Sequence, residues 1–116
     1  MDIETVRRYC LSLPHATEGI QWGDNLLFRI GEKIFAIVAL ERTPPSMSFK
    51  CTPEEFAELV EREGIVPAPY MARNNWVMLE SLDALPGAEL KQLIKSSYQM
   101  VAAKLPRKVR GELGLG

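Results

Sequence analysis

The stretch "LLFRIGEKIFAIVAL", residues 26–40, contains two apolar segments joined by a two-residue connection. Both segments are rich in β-branched and aromatic residues, which are typical of strands. Gly31 and Glu32 lie between them, and a two-residue connection with glycine first is typical of a type II′ hairpin turn. Leu26, Phe28 and Ile30 alternate with Leu27 and Arg29, so one face of the first strand is expected to be half exposed. The stretch therefore predicts an antiparallel hairpin.

The segments after the hairpin predict a third strand and a well-marked helix. "SMSFKC", residues 46–51, reads as a strand after a turn at Pro44 and Pro45. Thr52 is then expected to cap a helix, with Pro53 at its first position and Glu55 completing a capping box. An apolar stripe follows, and Gly64 is expected to end the helix. The stripe consists of Phe56, Leu59 and Val60.

The segments before the hairpin predict one helix and a loop. Apolar residues recur at helical spacing in residues 2–13, with Asp2 as the expected N-cap and Pro14 as the stop. "HATEGIQWGDN", residues 15–25, reads as a loop.

Two elements are predicted around the stretch "VPAPYMARNNWVML", residues 66–79. "IVPAPYM", residues 65–71, reads as a short edge strand or extended arm, because prolines are confined to sheet edges, and "NWVMLE", residues 75–80, reads as a strand. A long helix is predicted over residues 86–105, interrupted by Pro106 and followed by a basic tail. One of its sides is apolar apart from Ser97. The residues on that side are Leu90, Leu93, Ile94, Ser97, Val101 and Leu105.

These elements predict an α+β fold with the order α-β-β-β-α-β(β)-α. Helices that alternate with an antiparallel sheet favour a two-layer sandwich with the helices on one face. A chain of 116 residues fits one domain, which we expect to span residues 1–116.

Composition indicates an ordinary globular protein. The chain is 47% hydrophobic and 25% charged, with a net charge of −1, which excludes a highly basic nucleic-acid binder of the histone type. Cys10 and Cys51 are expected to be buried or free thiols in a reducing compartment. The longest apolar run, "IFAIVAL", is too short to span a bilayer. We therefore expect a cytoplasmic protein that does not associate with membranes.

No motif indicates catalysis. His15 is the one histidine and the one base of the kind that nucleophilic catalysis by Cys or Ser usually needs, but its place after a proline favours an exposed loop residue. Cys10 falls on the core side of its helix and reads as a small hydrophobe. We predict that the chain is not an enzyme and uses no cofactor.

The predicted second helix is acidic. Glu54, Glu58 and Glu61 could supply hard oxygen ligands to a metal ion. A solvated face with favourable charge at the helix N-terminus explains the same residues. We favour the solvated face and predict no metal site.

Positive charge is concentrated in the second half of the chain. Residues 1–64 contain seven Lys/Arg against eleven Asp/Glu, whereas residues 65–116 contain seven against four. "KLPRKVR" is the sharpest cluster, and such cations can bind phosphates by releasing counterions. Cations near a helix C-terminus also suit the helix dipole, so both explanations stay open. The cations of the cluster are Lys104, Arg107, Lys108 and Arg110.

Arg73, Asn74, Asn75 and Trp76 could form a recognition surface. Arg binds phosphate or guanine, Asn can read adenine, and Trp stacks on unpaired bases. The structural alternative is that the asparagines form a turn while Trp76 and Tyr70 fill the core. We favour the structural role for Trp76, and the two roles of Arg73 stay open.

Three stretches of the sequence together resemble a known protein family. "CLSLPHATE…WGDNLLFRIGEKIFA", "PAPYMARNNWVML" and "SSYQMVAAKLPRKVR" resemble the MmcQ/YjbR family over nearly the whole chain. The resemblance implies a fold similar to secretion-chaperone-like and frataxin-like domains, and a "double wing" DNA-binding role. The family supplies no established catalytic residues. The positions that match its motifs are Pro69, Tyr70, Met71, Arg73, Trp76, Tyr98, Lys104, Leu105 and Pro106.

Three hypotheses follow, in this order. The first is a DNA-binding module that uses an Arg/Asn wing and the C-terminal cations. The second is a protein-interaction domain of chaperone-like fold that uses an exposed sheet face or the arm at residues 67–69. The third is a frataxin-like metal binder. In each case we expect a monomer. The residues assigned to nucleic-acid binding are Arg73, Asn74, Asn75, Lys104, Arg107, Lys108 and Arg110.

Overall fold

A computed structural model describes residues 1–115. The strands form one antiparallel sheet in the order β1-β2-β3-β4-β6-β5. The strands are β1 (Thr17–Gln21), β2 (Asn25–Ile30), β3 (Lys33–Ala39), β4 (Ser46–Lys50), β5 (Ile65–Pro67) and β6 (Trp76–Leu79). The helices are α1 (Ile3–Ser12), α2 (Pro53–Leu59), α3 (Gly87–Ala103) and α4 (Arg107–Glu112), with 3₁₀ turns at Ala72–Asn74 and Leu82–Ala84.

The predicted α+β class, with helices on one face of an antiparallel sheet, is confirmed. The main core lies between that face and the helices, and α3 packs across β3 and β4. The Phe35 ring meets the Tyr98 ring edge-on at a centroid distance of 5.4 Å. The Tyr98 hydroxyl donates to the Pro14 carbonyl over 2.7 Å and so ties α3 to the end of α1. This core fixes the sheet that carries the candidate site.

Helix starts follow the sequence closely. The Asp2 side chain accepts from the Thr5 N–H, as expected of the N-cap. The Thr52 and Glu55 side chains exchange hydrogen bonds with each other's backbone and complete the predicted capping box. Helix α2, however, ends at Leu59 and not at Gly64. The backbone continues in tight turns until Gly64 adopts φ +83° and leads into β5.

Two elements were missed at the ends of the chain. Residues 15–25 are not all loop, because Thr17–Gln21 pairs with β2 as an edge strand. Its polar, exposed residues hide the strand pattern in the sequence. The C-terminal tail forms α4, which packs against the hairpin through Val109.

The hairpin turn differs in type from the prediction. Gly31 and Glu32 both have positive φ values, 54° and 71°, which indicates a type I′ turn and not type II′. A side chain at Gly31 would meet the Leu105 side chain at 2.9 Å, so glycine is needed there for close packing as well.

The sheet face away from the helices, here called the open face, is only partly covered. Trp76, Met78 and Ala68 are buried there in a second, smaller apolar cluster. Trp76 therefore has the structural role that we favoured. Tyr70 does not fill the core, because its side chain is fully exposed on a backbone with φ 67°. Within residues 1–115, no helix is long and apolar enough to cross a membrane.

Candidate nucleic-acid interface

Four of the seven predicted binding residues line one cavity of about 490 Å³ at the end of β4 and α3. They are Arg73, Asn74, Asn75 and Lys104. Lys50 lines the same cavity, which we call the basic groove. Residues that are far apart in the chain thus bring three cations together.

The groove is held together by the junction between β4 and the 3₁₀ turn before β6. Lys50 ends β4 opposite Trp76, the first residue of β6. The Asn75 carbonyl accepts from the Cys51 N–H at 2.9 Å and from the Cys51 thiol at 3.3 Å. Asn75 has φ 62°, a conformation that asparagine tolerates better than most residues. The predicted turn role of Asn75 is therefore confirmed, and that turn presents Arg73 and Asn74 to solvent.

Lys50 was missed by the sequence analysis. Its backbone N–H donates to the Ser97 hydroxyl over 3.0 Å, and this hydroxyl donates to the Phe35 carbonyl over 2.7 Å. Partial burial lowers the pKa of Lys50, and the positive charge of Lys104 lowers it further. An anion bound in the groove would raise the pKa of Lys50 again, because it would stabilise the charged ammonium. The sequence around Lys50 contains no local pattern that predicts a position in a binding groove.

The remaining predicted cations lie outside the groove. Arg107 and Lys108 are exposed on α4, which follows Lys104 after two residues. Leu105 and Val109 hold this segment against Gly31 at the hairpin turn. Arg110 is half-buried and takes part in an interaction of its own. The structure therefore separates "KLPRKVR" into one groove residue and a neighbouring helix.

Acidic helix α2 borders the groove on one side. Thr52 and Pro53 line the groove, whereas Glu55 lines the adjoining depression beside α3. Farther along, the Arg62 guanidinium binds Glu58 at 3.5 Å and Glu89 at 2.7 Å, which neutralises part of the charge. Among residues 1–115, no three acidic, His or Cys side chains are grouped so that they could hold a metal ion. Glu54, Glu58 and Glu61 thus form no such cluster.

The other candidate reactive groups lie away from the groove or are masked by burial. His15 is exposed in its turn, as expected. Cys10 and Cys51 are buried free thiols, which confirms that reading of the two cysteines. Burial raises the pKa of each thiol to about 12, so neither is a thiolate at neutral pH.

A second cavity, of about 380 Å³, lies on the open face. Trp22 and Tyr70 line it, and we call it the aromatic cleft. The Arg42 guanidinium also lines the cleft and donates to the Met78 sulfur over 3.2 Å. Sequence reasoning missed Trp22 because its segment read as a plain loop. The rest of the lining is Asn25, Ile37, Ala39, Ser46, Ser48, Pro69 and Met71.

Comparisons with known proteins agree with this fold. The family model described as YjbR matches residues 11–100. Uncharacterized protein YjbR of Escherichia coli (strain K12) is 25% identical over 114 residues, which cover 95% of each chain. Uncharacterized protein YbdF of Escherichia coli O157:H7 is 27% identical over 109 residues, covering 90% of this chain and 88% of its own.

Solved structures of other proteins have a similar fold. The crystal structure of Deinococcus radiodurans protein DR2400, with family-model domain DUF419, has a TM-score of 0.86 and 28% identity. The match covers 97% of this chain and 87% of the other. A crystal structure from Pseudomonas syringae has a TM-score of 0.72 at 22% identity and covers 86% of this chain and 98% of its own.

Proposed function

The chain belongs to the YjbR family, and on this premise we propose that it is a DNA-binding domain whose basic groove contacts phosphates. One observation carries the proposal: Lys50, Arg73 and Lys104 line a single cavity with Asn74 and Asn75. The cations come from a strand end, a turn and a helix end. The groove therefore combines charged groups for phosphate with amides that can hydrogen-bond to bases.

Local charge matters here more than the net charge of −1. Phosphate binding depends on cations within a Debye length, about 8 Å at physiological salt. No Asp or Glu is among the residues that line the groove within the described part of the chain, and the nearby Glu55 lines the adjoining depression beside α3. Arg107 and Lys108 on the adjacent α4 are exposed and available to phosphates farther along the strand.

The proposal is tested by a charge-reversal pair, Arg73→Glu with Lys104→Glu. We expect affinity for a short duplex at low salt to fall about tenfold or more, because two attractive phosphate contacts become repulsive. Both side chains are exposed, so the folded structure should persist, as circular dichroism would check. Affinity is measured by fluorescence anisotropy with labelled DNA.

The matched control is Lys91→Glu on the same helix as the groove wall. Lys91 lies roughly 18 Å along the axis from the end of α3 and stands over the Tyr9 ring. This variant replaces one cation by a carboxylate, whereas the pair replaces two, and it does so away from the groove. Equal losses per charge in the pair and in the control would refute a localised phosphate site.

One observation favours a second function, a protein-interaction domain. Among residues 1–115, three large hydrophobic side chains are exposed, namely Ile20, Trp22 and Tyr70. Trp22 and Tyr70 share the aromatic cleft, whereas Ile20 is exposed on edge strand β1 opposite Leu26 of the main core. Exposed apolar surface can mark a protein contact. A purified partner protein that binds the wild type and loses affinity with Ile20→Ser, while DNA affinity is unchanged, would support this function.

A further inference from the structure

We infer that the ligand of this domain is single-stranded DNA, with unpaired bases in the aromatic cleft and phosphates in the basic groove. The inference rests on the proposed function, because it specifies which form of DNA the groove binds. It adds to the groove a second binding surface, the aromatic cleft on the open face, whose lining lies outside the acidic helix α2.

The two cavities each share lining residues with a third depression. This depression, of about 370 Å³, is lined by Tyr70, Ala72, Arg73 and Asn74. Tyr70 also lines the aromatic cleft, while Arg73 and Asn74 also line the basic groove. Tyr70 and Arg73 thus link the three depressions in the order aromatic cleft, third depression, basic groove, and a ligand lying across these two side chains would reach from Trp22 to the cations. We call this path the binding track.

The alternation of β4 gives the track a common floor. Ser46 and Ser48 line the aromatic cleft, and Lys50 lines the basic groove. Successive side chains of a strand point to opposite faces, so residues 46, 48 and 50 share one face. The cleft and the groove are thus consecutive positions along one strand.

The two aromatic residues are presented to solvent rather than packed into the sheet. Trp22 is 67% exposed and Tyr70 is fully exposed, whereas Trp76 is only 8% exposed. Both exposed aromatic residues have left-handed backbone conformations, with φ values of 53° and 67°. Non-glycine residues seldom adopt this region, and such positions cluster at ligand-binding sites. Their exposed rings offer flat apolar surfaces to a ligand.

The chemistry of the track fits an unpaired strand better than a duplex. A base in a duplex is stacked on both sides, so an aromatic ring can stack only on a base that is unpaired. Exposed aromatic rings combined with backbone-contacting cations are the usual means of binding single strands. The Arg42 guanidinium supplies a cation inside the cleft itself. Glu41, which lies beside Gly23, marks the end of the positive path near Trp22.

The experiment titrates the full chain with a dodecamer of deoxythymidylate and with a duplex of the same length. Trp22 is exposed and Trp76 is buried, so quenching of tryptophan fluorescence by the single strand should come from Trp22 and should disappear in Trp22→Phe. We expect the single strand to bind at least tenfold more tightly than the duplex. Tyr70→Ala should lose about tenfold in single-strand affinity, and Tyr70→Phe should retain most of it.

The outcomes separate this inference from the proposed function. If Arg73→Glu with Lys104→Glu weakens duplex binding while Tyr70→Ala and Trp22→Ala change nothing, the inference is wrong and the proposed function stands. If neither form of DNA binds at low salt, both fail. If oligouridylate binds more tightly than the deoxy strand and depends equally on Tyr70, the ligand is RNA, and the assignment to DNA is overturned.

Discussion

The two faces of the sheet differ in how completely they are covered. On the helix-covered face, Phe28 and Phe35 of the sheet are fully buried. Leu90 and Ile94 of the covering helix α3 are fully buried as well. The open face has a small cluster around Trp76 and Met78, with concave surface on either side of it. The aromatic and cationic residues at the rim of that face contribute little to packing. The covered face therefore supplies stability, and we propose that the open face with its adjoining end supplies recognition.

The largest effect is expected from a substitution in the core of the covered face. Ile94→Ala should lower the free energy of unfolding by about 2–5 kcal/mol, because it leaves a cavity in a fully buried position. DNA affinity per folded molecule should be nearly unchanged. Urea unfolding measures the first quantity, and anisotropy measures the second. The exposed neighbour, tested as Lys95→Ala, should shift stability by no more than about 0.5 kcal/mol.

Ser97 joins the two regions and should give a smaller effect. Its hydroxyl links the Phe35 carbonyl in the core to the backbone of Lys50 in the groove. Ser97→Ala leaves those buried groups without their partner and should cost about 1–3 kcal/mol of stability. Ser96→Ala, at the half-exposed position before it, is the control. A Ser97→Ala protein as stable as the control would show that this link is dispensable.

The smallest expected effect is at the edge of the sheet. The Arg7 guanidinium donates to both carboxylate oxygens of Glu18, at 2.7 and 2.6 Å, and joins α1 to β1. Hydrogen bonding from Arg7 holds the pKa of Glu18 below its ordinary value of 4.5. A lowered folded pKa stabilises the protein above about pH 4.5, and this contribution is lost as the pH falls further. In thermal melts, Glu18→Gln should therefore be less stable than wild type at pH 7, and the difference should shrink below pH 4.

Elements that pack into the main core could be predicted from the sequence, whereas the exposed edge strand and the position of Tyr70 could not. Periodicity and capping residues are local signals, so α1, α3, the central strands and the Thr52 capping box could be predicted. Strand β1 could not, because an exposed edge strand has no apolar alternation to reveal it. A core position for Tyr70 was one alternative suggested by its residue type, but the side chain is fully exposed on a left-handed backbone.

The candidate site was only partly predictable for a physical reason. Arg73, Asn74 and Asn75 are adjacent in sequence, and Lys104 belongs to a visible basic cluster. That they share a groove depends on strand order and on the Cys51–Asn75 hydrogen bonds, which tertiary pairing creates. Lys50 and Trp22 belong to the candidate site only because folding places them beside residues that are distant in the chain.

The salt dependence of DNA binding tests most directly whether the basic groove contacts phosphates. Each phosphate contact contributes about 0.7–0.9 to the slope of log affinity against log salt concentration. With Arg73→Ala and Lys104→Ala combined, the magnitude of the slope should fall by roughly 1.5 relative to wild type. An unchanged slope in this double variant would contradict phosphate contact by these two groove residues.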